Sequence, residues 1–409
     1  MCSSDLAQDA RLSEAVLDDE APTPAVVAPM AQPSMRSVLA PPTDVYPSTL
    51  EHLLHQAAAR GATTLYVVSG AVPAVRVEDE VKPLDSVGIL EPAEVDALLL
   101  SLPAEPGDFL DGRLAPDEWT LELPEVGRVR GRSFRDHRGQ GCVVRLMPRR
   151  VLTSQELGLS RELQALMLES DGLVVITGPR LSGKRTVMAA FVDQINRTRH
   201  AHVVTIEREI SALHAQAGSV TSQREVRNPD GMADAVRQAL REDPDVVVVD
   251  DVQSSEVLEV LLDAAASGRL VLCGIAARGA SAALDRLLEL VPSAERRRVQ
   301  SLLARNLRAV VAQVLLRKPG GGRLVARELM LNTPAVAALL ADGRVSQLPM
   351  ALEGGRRQGM VPLNDALASL VQAGAVDVAE ATRVASDRNA LRTLLQRLGI
   401  DVSSLEKRA

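Results

Sequence analysis

The sequence predicts an α/β fold with a central, mostly parallel sheet that helices cover on both faces. Short apolar runs, each as long as one buried strand, recur at 173–176, 203–206, 246–249 and 270–272. Segments in which apolar residues recur at helical spacing separate these runs. A glycine-rich turn follows the first run and opens a helix, an arrangement in which backbone amides bind phosphate groups. The same pattern therefore predicts a fold class and a phosphate-binding loop.

The composition limits the function classes. A chain of 409 residues is too long for one compact core, so two or three domains are expected. Aromatic residues make up 1% and the formal net charge is −7, which disfavours the stacking surfaces and basic patches that bind nucleic acid. No apolar run approaches the ~18 residues of a membrane span, and no signal sequence begins the chain. Cys2, Cys142 and Cys273 are too far apart to form a metal-ligand pattern, which indicates a reducing cytosol.

The first 150 residues divide into a tail and a small α/β domain. Residues 1–46 are rich in Ala, Pro and acidic groups and lack periodicity, which predicts a disordered tail. Apolar residues at helical spacing begin at Leu50, and the strand-like run 65–68 follows them. Alternating residues at 120–123 and 143–146 predict further strands, so we expect this domain at 47–150.

Two further parts are expected in the rest of the chain. The phosphate-binding domain is predicted at 151–350, beginning with a helix at 161–168. Beyond Leu331 the spacing of apolar residues is helical and glycines interrupt it, which predicts a C-terminal helical region at 351–409.

The candidate phosphate-binding loop spans residues 178–186. Its backbone N–H groups are expected to bind phosphates, and Lys184 to neutralise their charge. The P-loop pattern places Ser or Thr directly after the lysine to bind magnesium, whereas this chain has Arg185 there and Thr186 one position later. The loop thus predicts these nucleotide-binding residues: Gly178, Pro179, Ser182, Gly183, Lys184, Arg185 and Thr186.

A second element ends in carboxylates. Asp245 precedes four valines, which are followed by Asp250 and Asp251. In P-loop proteins such a strand carries carboxylates that face the phosphates, so Asp250 and Asp251 are candidate magnesium ligands. Buried strands also end in acidic residues without this role, an alternative that the longer string 239–245 makes weaker.

Three strings occur in one order along the chain: RHAHVVTIE at 199–207, QREV at 223–226 and ALREDPD at 239–245. With them, residues from about 48 to 390 resemble the PilT-type retraction ATPases of type IV pili, in the GspE/PilT/VirB11 superfamily. The resemblance implies a RecA-like P-loop core, a PAS-like N-terminal domain and a C-terminal helical region. It implies ATP and Mg²⁺ as cofactors and a cytoplasmic protein peripheral to the inner membrane.

Arginines of the PAS-like module reach the nucleotide in this family. Arg128, Arg130, Arg138 and Arg145 occupy matching positions, so the resemblance implies that they bind nucleotide. A strand face exposed to solvent is the alternative.

Two departures from the family pattern fall on the metal site. Arg185 stands where the family has the Walker A serine. The conserved Walker B glutamate corresponds to Asp251, and Asp250 stands in place of the preceding glycine, so the acidic arm is one methylene shorter and a charge is added.

Two more departures fall on catalytic groups. The glutamate of the family's acidic box is kept as Glu207, but Arg208 follows it where the family has an aspartate. Residues 274–277 replace the family's histidine box and contain no histidine. The resemblance thus implies that Glu207 and Asp251 are catalytic residues of a degenerate site.

These departures predict that ATP is bound but that its hydrolysis is weak or lost. The protein is then expected to be an accessory or regulatory subunit, in a homo-hexamer or in a mixed ring with an active PilT-type ATPase. An inner-membrane pilus platform protein is the implied partner, without nucleic acid or direct membrane insertion. Two alternatives stay open: an active hexameric retraction motor with substituted catalytic residues, and a nucleotide-independent scaffold of the pilus machinery.

Overall fold

The computed structural model describes residues 50–77, 80–102, 116–148 and 150–402. The tail predicted at 1–46 lies outside the described residues, as does 403–409 at the other end. No helix in the described part is both long and apolar enough to span a bilayer.

An antiparallel sheet and two helices form the first part of the described chain. The elements are α1 Leu50–Ala59, β1 Thr64–Val68, β2 Ala74–Val77, β3 Glu80–Pro83, α2 Pro92–Leu100, β4 Glu118–Leu123, β5 Gly127–Asp136 and β6 Gly139–Leu146. The strand order is β3-β2-β1-β6-β5-β4, and every neighbouring pair is antiparallel. Leu53 and Leu54 of α1 pack with Val67 and Val144 of the sheet, which confirms the helix predicted from Leu50 onwards.

A seven-stranded sheet forms the centre of the molecule. Its elements are α3 Arg161–Ala165, β7 Gly172–Thr177, α4 Lys184–Thr198, β8 His202–Glu207, β9 Val220–Glu225, α5 Met232–Leu240, β10 Val246–Val249, α6 Ser255–Ala266, β11 Leu270–Ile275, α7 Ala280–Glu289, α8 Arg296–Asn306, β12 Leu307–Arg317 and β13 Arg323–Leu331. The order is β13-β12-β7-β11-β10-β8-β9, with all pairs parallel except β12 with β13. The predicted mostly parallel sheet is confirmed. The helix predicted at 161–168 ends at Ala165 and continues as the 3-10 turn Leu166–Leu168.

The valines of β10 show why this sheet is buried on both faces. Successive side chains of a strand point to opposite faces. Val247 and Val249 pack in one hydrophobic cluster with residues of α5 and α6, whereas Val246 and Val248 pack in another with residues of α4. Helices therefore cover both faces, and the carboxyl ends of the parallel strands meet at one edge.

Five helices complete the described chain. They are α9 Pro334–Ala341, α10 Leu348–Gly354, α11 Leu363–Gln372, α12 Val378–Val384 and α13 Arg388–Arg397. The last three enclose a separate cluster with the β12–β13 hairpin, in which Leu367 and Leu391 pack against Leu316. The helical spacing predicted beyond Leu331 is confirmed.

Candidate phosphate-binding site

The loop between β7 and α4 has a backbone that only glycine permits at its first position. Gly178 has φ +155°, and a Cβ atom there would lie 2.3 Å from Ser182 Oγ and 2.4 Å from the Gln313 carbonyl oxygen. Gly183, directly before α4, has φ +84°. These conformations turn the chain tightly, so that the N-terminus of α4 and its free amides face the loop.

Gln313 on β12 supports this loop. Its Nε2 donates a hydrogen bond to the Ser182 carbonyl at 2.7 Å, and the side chain is buried. Sequence reasoning missed this residue, because a single glutamine in an apolar strand carries no motif. Only the pairing of β12 with β7 brings it to the loop.

The polar groups of the loop fit a phosphate. Lys184 Nζ donates to the carbonyls of Gly178 at 2.8 Å and Pro179 at 3.1 Å, so its charge lies inside the loop. Burial lowers the pKa of Lys184, while the nearby Asp251 opposes the shift. The Ser182 hydroxyl is buried and has no hydrogen-bond partner in the described structure. A positive charge, a free hydroxyl and a helix N-terminus thus converge where phosphates bind in P-loops.

Arg185 lies against the carboxylate that follows β10. Its Nη2 is 3.0 Å from Asp250 Oδ2, and the backbone N–H of Arg208 donates to Asp250 Oδ1 at 3.2 Å. Burial raises the pKa of Asp250, and the charge of Arg185 opposes that rise. Both carboxylate oxygens therefore already have partners.

These residues do not fit a magnesium ion. A metal at Asp250 would have to displace a guanidinium that already neutralises the carboxylate. Asp251 accepts a hydrogen bond from Gln253 Nε2 at 2.6 Å. Among the described residues, no group of three or more His, Cys, Asp or Glu side chains is arranged to hold a metal.

Glu207, the predicted catalytic glutamate, lies buried at the end of β8. Its Oε1 accepts hydrogen bonds from Thr205 Oγ1 at 2.9 Å and from Gln223 Nε2 at 3.4 Å. Burial raises the pKa of Glu207, and the charge of Asp250 adds to the rise. Glu207 and Asp250 thus share one end of the sheet, as their strands predict.

Glu209 extends the ion pair of Arg185 to the first sheet. Arg145 Nη1 donates to Glu209 Oε2 at 2.6 Å, and Arg185 Nη1 lies 3.6 Å from the same oxygen. Arg145, Glu209, Arg185 and Asp250 therefore form a continuous series, which we call the arginine–carboxylate chain. Four arginines of the first sheet are predicted to bind nucleotide. Among them, Arg145 is the one that the arginine–carboxylate chain joins to the phosphate loop.

The other three predicted arginines have different surroundings. Arg130 donates to Glu118 and Glu225, the latter at the end of β9. The backbone N–H of Arg138 donates to Asp136 in the β5–β6 turn. Arg128 lies in β5 opposite Glu122 of β4. Nucleotide contacts by these arginines stay a prediction, as does a role for Thr186, which is exposed on α4.

The end of β11 packs closely behind Asp250. A Cβ atom at Gly274 would lie 2.0 Å from the Asp250 carbonyl oxygen, and the Val252 N–H donates to the Gly274 carbonyl at 2.8 Å. Thr177 Oγ1 donates to the Ile275 carbonyl at 3.0 Å. The segment 274–277 thus contributes backbone atoms and small side chains at this end of the sheet, without an imidazole.

A small cavity adjoins the ion pair of Arg185 and Asp250. Glu207, Thr205 and His214 are among the residues that line it. His214 Nδ1 is buried and has no hydrogen-bond partner in the described structure. Burial lowers the pKa of His214, with Asp193 opposing the shift, so the imidazole is held in its neutral form at neutral pH.

The chain is similar to proteins of type IV pili and of secretion systems. The family described as "Type II/IV secretion system protein" matches residues 120–354. The type IV pilus retraction ATPase PilT of Pseudomonas aeruginosa is 35% identical over 330 residues, covering 80% of this chain and 95% of that protein. The type IV pilus ATPase PilU of the same species is 30% identical over 350 residues, covering 85% and 91%.

A solved structure agrees with these relatives. The crystal structure of the pilus retraction motor PilT with bound ADP superposes with a TM-score of 0.74 at 28% sequence identity. The match covers 85% of this chain and 99% of that one.

Proposed function

This chain belongs to the PilT-type ATPases of the type II/IV secretion system family, and from this premise we propose that it binds ATP but hydrolyses it slowly or not at all. It acts in this proposal as an accessory or regulatory subunit of pilus retraction. One observation carries the proposal: Arg185, directly after the loop lysine, is bound to Asp250 at 3.0 Å beside an otherwise intact phosphate loop.

ATP binding is supported by the loop. Gly178 and Gly183 hold the conformation that directs the amides of α4 at an anion. Lys184 lies within the loop, and phosphate oxygens can replace the two carbonyls that it now contacts. Arg145, which Glu209 links to Arg185, and the other predicted arginines, Arg128, Arg130 and Arg138, are the proposed further contacts of the nucleotide.

Weak hydrolysis follows from the groups around the loop. Phosphoryl transfer depends on positioning and on positive charge at the transferred group, much of which Mg²⁺ supplies when it is bound. Here Asp250 is engaged by Arg185 and Arg208. Asp251 has a shorter arm than a glutamate for orienting water, and 274–277 provides no imidazole. Loss of several such groups reduces turnover by orders of magnitude, whereas binding through Lys184 is retained.

The role as a subunit is proposed from the family. PilT-type motors are hexameric, so this chain is proposed to form a homo-hexamer or to enter a mixed ring with an active PilT-type ATPase. In the ring it contacts the inner-membrane pilus platform protein from the cytoplasm. A subunit that binds ATP without rapid turnover then changes the rate of its active neighbours.

Two measurements on the purified full chain test this proposal. Calorimetric titration with ATP is expected to show binding that Lys184→Ala abolishes, while Lys318→Ala, at the exposed β12–β13 turn, is the matched control. Phosphate release is expected to be at least about a hundredfold slower than from an active retraction ATPase of the same cell. Turnover at the rate of an active motor identifies a motor with substituted residues, and an absence of ATP binding identifies a scaffold.

Adding the chain to the active ATPase tests the accessory role. Co-elution in one ring and a changed turnover rate per active subunit are expected. Separate elution with unchanged turnover contradicts this role.

A further inference from the structure

We propose that Arg185 and Asp250 together replace the divalent cation, so that this site binds nucleotide equally well with and without Mg²⁺. The inference rests on the proposed ATP binding and specifies its chemistry. Two departures from the P-loop pattern meet in this pair: a guanidinium where a hydroxyl binds the metal, and an added carboxylate after β10.

The geometry makes the pair one unit. Arg185 Nη2 lies 3.0 Å from Asp250 Oδ2; the aspartate side chain is 2% exposed and the arginine side chain 39% exposed. The guanidinium therefore covers the carboxylate, stays partly exposed to solvent and lies close enough to Lys184 to act on its charge. A partly exposed arginine anchored on a buried aspartate is a cationic group whose position is fixed directly after the loop lysine.

The free donors of this guanidinium suit a phosphate. A guanidinium has five N–H groups in a planar fork that matches phosphate oxygens. Nη2 of Arg185 donates to Asp250. Nη1 lies 3.6 Å from Glu209 Oε2, which is too far for a good hydrogen bond. A nucleotide phosphate beside Lys184 can therefore accept from Arg185 while the ion pair with Asp250 stays in place.

A divalent cation is at a disadvantage in the same place. To reach Asp250 it must break a largely buried ion pair and lie next to the displaced guanidinium, which has the same sign of charge. Asp250 Oδ1 is also occupied, because it accepts from the Arg208 N–H at 3.2 Å. The site thus carries its own cation, covalently attached to α4.

Calorimetric titration of ATP into the wild-type chain, once with MgCl₂ and once with EDTA, tests the proposal. The two dissociation constants are expected to agree within about threefold. In the double variant Arg185→Ser, Asp250→Gly the hydroxyl of the P-loop pattern is restored and the added charge removed. Its affinity is expected to fall at least about tenfold when EDTA replaces MgCl₂.

Two further variants keep the test decisive. Arg197→Ser removes an exposed arginine from the far end of α4 and is expected to leave the ratio of the two constants at its wild-type value. Asp250→Asn keeps the shape but frees Arg185 for the phosphate, so it serves if the double variant does not fold. It is expected to bind ATP in EDTA at least as tightly as the wild type.

A wild-type affinity that falls tenfold or more in EDTA overturns this inference and leaves the proposed ATP binding intact. Weaker binding by Asp250→Asn in EDTA overturns it as well, because Arg185 then does not face the phosphate. Absence of binding in both buffers refutes the proposed function itself.

Discussion

Arg130 of β5 donates hydrogen bonds to both carboxylate oxygens of Glu225 at the end of β9, with Nη1–Oε2 at 2.6 Å and Nη2–Oε1 at 2.9 Å. The bond joins the first sheet to the edge strand of the central sheet. Glu118 shares the same guanidinium at 2.8 Å. Although burial opposes both shifts, the hydrogen bonds to Glu225 and Glu118 raise the pKa of Arg130, and the hydrogen bond from Arg130 helps to lower the pKa of Glu225.

Arg130→Ala is expected to destabilise the protein by about 2 kcal/mol, because it leaves a partly buried carboxylate without its main partner. Thermal unfolding followed by circular dichroism measures the change. Arg132→Ala is the matched control, since Arg132 also contacts Glu118 but its side chain is 75% exposed. The control is expected to cost less than about 1 kcal/mol. Equal losses from both changes contradict a special role for the link to Glu225.

Glu207→Gln is expected to raise the melting temperature at neutral pH and to have no effect below the ordinary glutamate pKa. Burial raises the pKa of Glu207, so the folded protein holds this proton more tightly than the unfolded chain. Glu207 therefore contributes its full stabilisation below pH 4.5, the ordinary pKa that it has in the unfolded chain. This stabilisation is lost as the pH rises through the raised pKa of Glu207 in the folded protein. A glutamine cannot ionise, so it avoids this loss of stability at high pH. It also keeps the side-chain oxygen to which Thr205 donates a hydrogen bond.

Calorimetric scans at pH 4 and at pH 8 measure the difference for Glu207→Gln, with a gain of a few degrees expected at the higher pH alone. Glu295→Gln, at the exposed start of α8, is the control and is expected to change neither value. A loss of stability at pH 8 would show that the carboxylate charge is needed by the fold.

Gly178→Ala is expected to abolish ATP binding. The new methyl group would lie 2.3 Å from Ser182 Oγ and 2.4 Å from the backbone oxygen of Gln313, so the loop must move away from β12. Gly88→Ala is the control, because a Cβ atom there has no neighbour within 4 Å. Calorimetric titration with ATP measures both. Wild-type affinity in Gly178→Ala would refute the geometry of this loop.

The phosphate loop and the strands could be predicted from sequence because their signals are local. A buried parallel strand is a short apolar run. In the loop, Gly178 and Gly183 indicate a tight backbone turn, and Lys184 indicates a positive charge beside it. The support of Ser182 by Gln313 spans 131 positions and depends on β12 pairing with β7. No local pattern contains it.

The arginine–carboxylate chain could not be predicted for a related reason. Arg185 and Asp250 each stand out in the sequence as a departure from the P-loop pattern, but their contact spans 65 positions. Glu209 was not predicted at all, since an acidic residue after a strand is common in every fold. The predicted role of Arg145 needed the structure to show that Glu209 lies between it and Arg185.

Gln313→Leu is expected to weaken ATP binding by about fivefold while the sheet stays folded. The hydrogen bond to the Ser182 carbonyl is lost, and a bond of this kind contributes about 1 kcal/mol; the longer bond that Arg327 Nε donates to Gln313 Oε1 at 3.4 Å lies away from the loop carbonyl and is lost as well. Leucine has a similar volume and suits a buried strand position, so the melting temperature is expected to change little. An unchanged affinity, measured by calorimetric titration, would show that the loop is held without this bond.

The coupling between Arg185 and Asp250 can be measured by a double-mutant cycle in thermal unfolding. Arg185→Ser alone is expected to cost about 2 kcal/mol, because Asp250 remains buried at 4% exposure without its cation. Asp250→Gly alone leaves a half-exposed guanidinium that water can solvate, so its cost comes mainly from the flexibility of glycine. The double variant is expected to be more stable than Arg185→Ser, since it removes the unpaired carboxylate. If the two side chains do not interact, the losses in the free energy of unfolding of the two single variants add up in the double variant. That result would show that the contact between Arg185 and Asp250 contributes nothing to stability.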